Sequence, residues 1–195
     1  MNEKALRELD AWMPTVTKSD VGAARNMAEI VGVLIGVKTV AMDLFLPEEL
    51  QKVDLKWFRG KLHELGLHVI FERRALGGND PMNYAEYYYL GKDHETALVA
   101  QNLFHKIWSG EWEMNREIGA LLGYPQTAVE YFLNKKGKTS KEDQKRMARN
   151  RFYIHSPEHE DDEFDAYERK IYAVLGQFCP KTMEVLKQSP EKRMV

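Results

Sequence analysis

Apolar residues Ala24, Met27, Ile30, Val31 and Leu34 recur at helical spacing behind a capping Ser19 or Asp20, predicting a helix that ends at Gly36. Residues 37–45 then alternate, with Val40, Met42 and Leu44 on one face of a half-buried strand. Pro47 opens a second helical region, whose stripe of Leu50, Val53, Trp57, Phe58, Leu62 and Leu65 stops at Gly66; Asp54 is placed to cap its second half. Residues 67–74 and 84–90 read as strands joined by the turn-rich GGNDP. In the later strand Tyr84, Tyr88 and Leu90 share one face, and Tyr87 and Tyr89 the other. One face is expected to meet the core, whereas an exposed tyrosine row near Arg73 and Arg74 is a surface on which bases can stack.

Further along, Ala97, Ala100, Phe104, Ile107 and Trp108 define a helix over 94–108, and residues 111–133 give two helices parted at Gly123. Ser140 and Asp143 begin a basic helix through Arg151, and Ser156 with Pro157 opens a last long helix reaching Phe178. The order is that of an α+β protein: a small mixed sheet from β-α-β-β, packed with helices and followed by a helical C-terminal region that contains a helix-turn-helix-like hairpin. At 195 residues and 44% hydrophobic content, the chain supports one sizeable core with an appendage. The expected division is an α+β core domain over 1–134 and a charged helical extension over 135–195, packed on or beside it.

The hairpin carries the most specific pattern. Ile118, Gly119, Leu122, Gly123, Val129 and Phe132 fall where a helix-turn-helix needs apolar contacts, a small residue and a turn glycine. Gly123 takes the left-handed turn and Pro125 starts the second helix, so that Gln126, Thr127 and Glu130 face a groove and Lys135, Lys136 and Lys138 lie near phosphates. An ordinary helical hairpin uses the same turn for packing alone, and Glu130 is unhelpful near a polyanion.

The net charge of −2 gives no global footprint for nucleic acid, so such a role needs a local basic patch. Lys135, Lys136, Lys138, Lys141, Lys145, Arg146, Arg149 and Arg151 form one, and Glu158, Glu160, Asp161, Asp162, Glu163, Asp165 and Glu168 follow it. The two runs either neutralise each other or leave the basic one for an external anion.

Catalytic and metal motifs argue themselves down. His155, Glu158 and His159 spell H-x-x-E-H, but Pro157 belongs in a first turn and leaves His155 before the helix. Consecutive acids at a helix start complement its dipole more simply than they bind a cation. Cys179, flanked by Phe178 and Pro180, reads as packed at a helix junction, and a single cysteine excludes a disulfide framework. Walker, dinucleotide and nucleophile-elbow motifs do not occur. Gly32 and Gly36 form a GxxxG pair that reads as close packing. The apolar stretch 28–46 is interrupted by Glu29, Lys38 and Asp43, and MNEKALRELD lacks a signal-like apolar run, so a cytoplasmic protein without membrane contact is expected.

LLGYP at Leu121–Pro125 with an aromatic at Phe132 resembles the signature of a mainly archaeal family of domains of unknown function. YLGKD at Tyr89–Asp93 and FYIHSPEH at Phe152–His159 are similar to two further fragments of it, extending the resemblance over residues 37–188. Where that family has a cysteine pair after LGYP, this chain has Thr127 and Ala128. The resemblance implies an order of elements and no activity.

The function expected from sequence is a binding protein without metal or cofactor. Its sharpest form is DNA or RNA binding through Gln126, Thr127, Lys135, Lys136, Lys138, Lys145, Arg146 and Arg149. The alternatives are an enzyme of unknown reaction near His155 and His159, and a module that binds another protein or itself.

Overall fold

A computed structural model describes residues 1–76, 83–109, 115–135, 140–142 and 156–187. The expected basic helix through Arg151 lies largely outside them. Helix α1 (Glu3–Val16) is capped by Asn2 and buries Ala5, Leu6, Leu9, Met13 and Val16 along one stripe. In α2 (Asp20–Leu34) the Ser19 side chain accepts from the Gly22 amide at 3.0 Å. Gly36 then turns the chain at φ +75°, and the amides of Val37 and Lys38 both donate to the Gly32 carbonyl at 3.0 Å. These two residues therefore finish the helix, and strand β1 runs only over Val40–Phe45.

Pro47 opens the short α3 (Pro47–Leu50), and Asp54 caps α4 (Leu55–Glu64) as expected. Strands β2 (His68–Ala75) and β3 (Tyr84–Gly91) pair antiparallel, with Phe71 opposite Tyr88. Strand β1 pairs with the other edge of β3, Val40 opposite Gly91, giving the order β1-β3-β2. The sheet is thus antiparallel throughout, not mixed. The passage through α3 and α4 does return the chain in the direction of β1, but β3 separates the two parallel strands.

Alternation assigns each face to its own core. Ala41, Phe45, Tyr88, Leu90 and Val69 enter the main cluster with α1, α2 and α4, where Phe45 and Phe58 each lie 5.4 Å from the Tyr88 ring. On the opposite face Val40 and Tyr89 join Ala100, packed by Met42, Ile70, Phe104 and Leu122, beneath α5 (His94–Trp108) and next to α6 (Asn115–Leu121). Tyr88 and Tyr89 are both buried, so neither offers a ring for base stacking; Tyr84 instead carries the Arg73 guanidinium 4.1 Å above its ring.

Helix α7 (Gln126–Asn134) completes the hairpin. The last helix begins later than its Pro157 suggests and is broken. Residues 157–159 form a turn, α8 spans Glu160–Ala166, and a kink at Tyr167 (φ −119°, ψ −73°) separates it from α9 (Glu168–Phe178). The kink coincides with insertion of the Tyr167 ring, 1% exposed, against Tyr124 at 5.8 Å.

Cys179 is buried at the junction of α9 and α10 (Pro180–Lys187), where burial and then Asp10 push its thiol up to about 12. Asp10 on α1 caps α10: its carboxylate accepts from the Lys181 and Thr182 amides at 3.0 and 2.9 Å and from the Thr182 hydroxyl at 2.6 Å. Ile171, Leu175, Phe178, Val185 and Leu186 belong to the main core. Among the described residues, no helix is long and apolar enough to cross a membrane.

Candidate binding cleft

The hairpin is built around two glycines. A Cβ on Gly119 would lie 2.6 Å from a methyl of Val129, so α6 and α7 cross at a separation only glycine allows. Gly123 has φ +73°, the expected left-handed turn, and the Tyr124 amide closes it onto the Gly119 carbonyl at 2.9 Å. The turn docks on the approach to β1, where the Thr39 amide donates to the Leu121 carbonyl at 2.8 Å.

Beneath the turn lies a polar knot. Lys38 is 1% exposed and paired with Glu29 of α2. Its ammonium sits 5.6 Å from the Tyr124 ring centre and 5.9 Å from that of Tyr167, both within cation–π reach. Its stem passes so close to Gly32 that a Cβ there would lie 2.6 Å from Cδ. Burial lowers the Lys38 ammonium from its ordinary value and Arg25 adds to this, against the attraction of Glu29. Burial likewise raises the Tyr124 phenol. Asp43, on the same face of the sheet as Tyr88, is raised to about 6, chiefly by burial and against the pull of Arg25.

Between the unfolded value near 4 and about 6, the folded protein therefore holds a proton on Asp43 that the unfolded chain has lost. Stability falls as pH rises through that window and stays lower above it. Asp43→Asn is expected to be the more stable protein at pH 8, by about 1 kcal/mol, and equal to the parent near pH 3.5. Urea unfolding at the two pH values checks this; a parent more stable than Asp43→Asn at pH 8 contradicts it.

The opposite side of α7 forms the cleft. Gln126 and Thr127 are exposed at its start, Glu130 and Tyr131 follow one turn later, and Asn134 ends the row. Facing them are Ser156, Pro157, Glu158 and His159, which with the α7 residues enclose about 480 Å³. Buried Glu163 fixes the two walls: one oxygen accepts from the Thr127 hydroxyl at 2.6 Å, the other from the Ser156 amide at 3.0 Å. Glu130 is held from outside by Arg116, which donates to its two oxygens at 2.9 and 3.0 Å.

Of the residues expected to meet nucleic acid, the structure brings Gln126 and Thr127 together in this cleft, and Lys135 stands beside it with its ammonium 4.4 Å above the Tyr131 ring. Lys136, Lys138, Lys145, Arg146 and Arg149 lie outside the described residues, as does His155. His159 is at the N-cap of α8, one residue before the helix. No protein-family model, curated protein or solved structure matches this chain. The cleft is therefore read from its own chemistry.

Sequence reasoning missed a second constellation, on the α5 side of the sheet. Glu72 accepts from Gln101 at 2.9 Å, His105 Nε2 at 2.6 Å, the Tyr89 hydroxyl at 3.2 Å and Arg74 Nε at 2.7 Å. Burial alone would raise its carboxyl, but the bonds from Gln101, His105 and Arg74 outweigh that and bring it to about 2. An ionised carboxylate only accepts, so His105 Nε2 carries a proton. The arrangement clamps α5 to the sheet. Its one sequence signal is the four-residue spacing of Gln101 and His105. Among the described residues, no three His, Cys, Asp or Glu side chains are placed to hold a metal ion.

Proposed function

We propose that this chain is a binding protein whose site is the cleft between α7 and residues 156–159. The observation that carries the reading is convergence: Gln126, Thr127 and the end of the HSPEH segment, remote in sequence, line one open cavity of about 480 Å³ with convergent amide, phenol, carboxylate and imidazole groups. The size suits a small polar ligand or one side chain of a peptide. A recognition helix, by contrast, needs its groove-facing side bare. On α7 the Thr127 hydroxyl is engaged by Glu163, and Pro157–His159 stand across from it.

Screening the full chain by isotope-edited NMR against polar fragments, short peptides and short DNA and RNA tests the proposal. Fragment or peptide binding should be weakened about tenfold by Tyr131→Ala, with Asn134→Ala acting in the same direction. Binding to nucleic acid alone, unaffected by these changes but losing about 0.9 of log–log salt slope per contact when Lys136, Lys138, Lys145 and Arg149 become glutamine, would move the function to the basic segment and end the cleft reading.

A further inference from the structure

His63 lies in the last turn of α4, and Gly66 turns the chain at φ +75° so that β2 begins at His68. The Gly66 amide closes on the His63 carbonyl and the Leu67 amide on that of Leu62, each at 2.9 Å, while Leu62, Leu65 and Leu67 are buried beneath. The backbone between the two histidines is thereby fixed, and both side chains are exposed. Their ring centres stand 5.2 Å apart at an interplanar angle of 41°. Among the described residues neither imidazole has a hydrogen-bonding or ion-pairing partner.

We infer that His63 and His68 together bind one divalent transition-metal cation of the zinc type, in a surface site separate from the cleft. Their spacing carries the inference. With bonds of about 2.1 Å, a metal lies about 3.2 Å from the centre of each imidazole, and two such rings at the tetrahedral angle have centres about 5.2 Å apart. The two histidines already hold that separation. Turning an exposed ring about its Cβ–Cγ bond hardly moves its centre, so a nitrogen of each can face the shared position with the backbone unchanged. Two protein ligands leave the remaining positions to water. Imidazole pairs favour zinc, copper and nickel over magnesium and calcium, which take oxygen ligands. A nearby carboxylate adds attraction for a cation. His68 pairs with Gly91, two residues before Asp93, whose side chain accepts from the Thr96 amide at 2.7 Å at the start of α5. The bonds from Thr96 first, and then the charges of His68 and His94, lower the Asp93 carboxyl from its ordinary value. Asp93 thus lies within electrostatic reach of His68 without being a ligand.

The test is titration of the untagged full chain with zinc chloride, read by NMR of the imidazole resonances of its six histidines, with magnesium chloride as the comparison. Zinc is expected to move the His63 and His68 resonances together, saturating at one ion for the pair, and about tenfold more magnesium should move neither. His63→Ala and His68→Ala, both at exposed positions, should each weaken zinc at this site at least about tenfold. Asp93→Asn, which keeps a capping side chain on α5, should weaken it about threefold. Zinc that moves only one of the two rings, or only other histidines, overturns the inference. So does an equal response to magnesium, or an affinity unchanged in both alanine variants. The cleft reading stands or falls separately, on its own screen.

Discussion

Gly123→Ala is expected to cost about as much stability as Gly123→Val, roughly 3–5 kcal/mol in each case, because the first carbon added is the one that collides. A Cβ at this position would lie 1.9 Å from the Val37 carbonyl oxygen and 3.1 Å from the Lys38 Cα. Both are backbone atoms and cannot swing aside. Left-handed φ alone would give a different pattern, about 1 kcal/mol for alanine and more for the β-branched residue. Equilibrium unfolding of the two variants separates the cases. An alanine cost near 1 kcal/mol would mean that the turn is not docked against residues 37 and 38.

The second large effect concerns Glu29 and Lys38. Removing one member of a buried ion pair strands the other, so Glu29→Leu is expected to lose about 3–5 kcal/mol at pH 7. Lys38→Met keeps a stem of similar length beside Gly32, and the double variant Glu29→Leu/Lys38→Met should recover most of the loss, because no charge then has to be desolvated. The pH dependence has a definite sign. The folded ammonium titrates below the ordinary lysine value, so the unfolded chain binds more protons in the interval between them. Stability consequently rises with pH up to the ordinary value. Glu29→Leu depresses the ammonium further and widens that interval, so its deficit should shrink at alkaline pH. A single-variant cost below about 1 kcal/mol, or additive losses in the double variant, would show that the pair is hydrated and not a buried lock.

The same residues show what could be read in advance. Caps and turn glycines act locally, and Ser19, Asp54, Gly36, Gly66 and Gly123 stand where the pattern places them. Helix α1 is not among the elements expected from sequence, although Leu6, Leu9, Met13 and Val16 keep helical spacing; Pro14 in its last turn argues against a helix there. Strand pairing was not legible, because the order β1-β3-β2 depends on which edge of β3 is left for β1. The break at Tyr167 has no local signal either; it coincides with the ring's place between Tyr124 and Lys38, residues far away in sequence.

For the cleft, Gln126 and Thr127 were singled out, but for a different partner surface. Helical periodicity shows which way α7 presents them and does not show that Ser156–His159 stand opposite. That juxtaposition depends on Glu163, which the run of acids made look like one more solvated charge, whereas it is buried and bonded to both walls. Glu72 was hidden in the same way, because its four donors come from two strands and a helix.

The Asp10 cap on α10 links residues 172 positions apart. Closing so long a loop carries a high entropic cost, so the contact belongs among the last to form. On a ribosome, α1 and α2 emerge with apolar faces that α9 and α10 cover only after nearly all of these residues have been synthesised. Until then the sides of α1 and α2 that α9 and α10 cover are accessible to a chaperone.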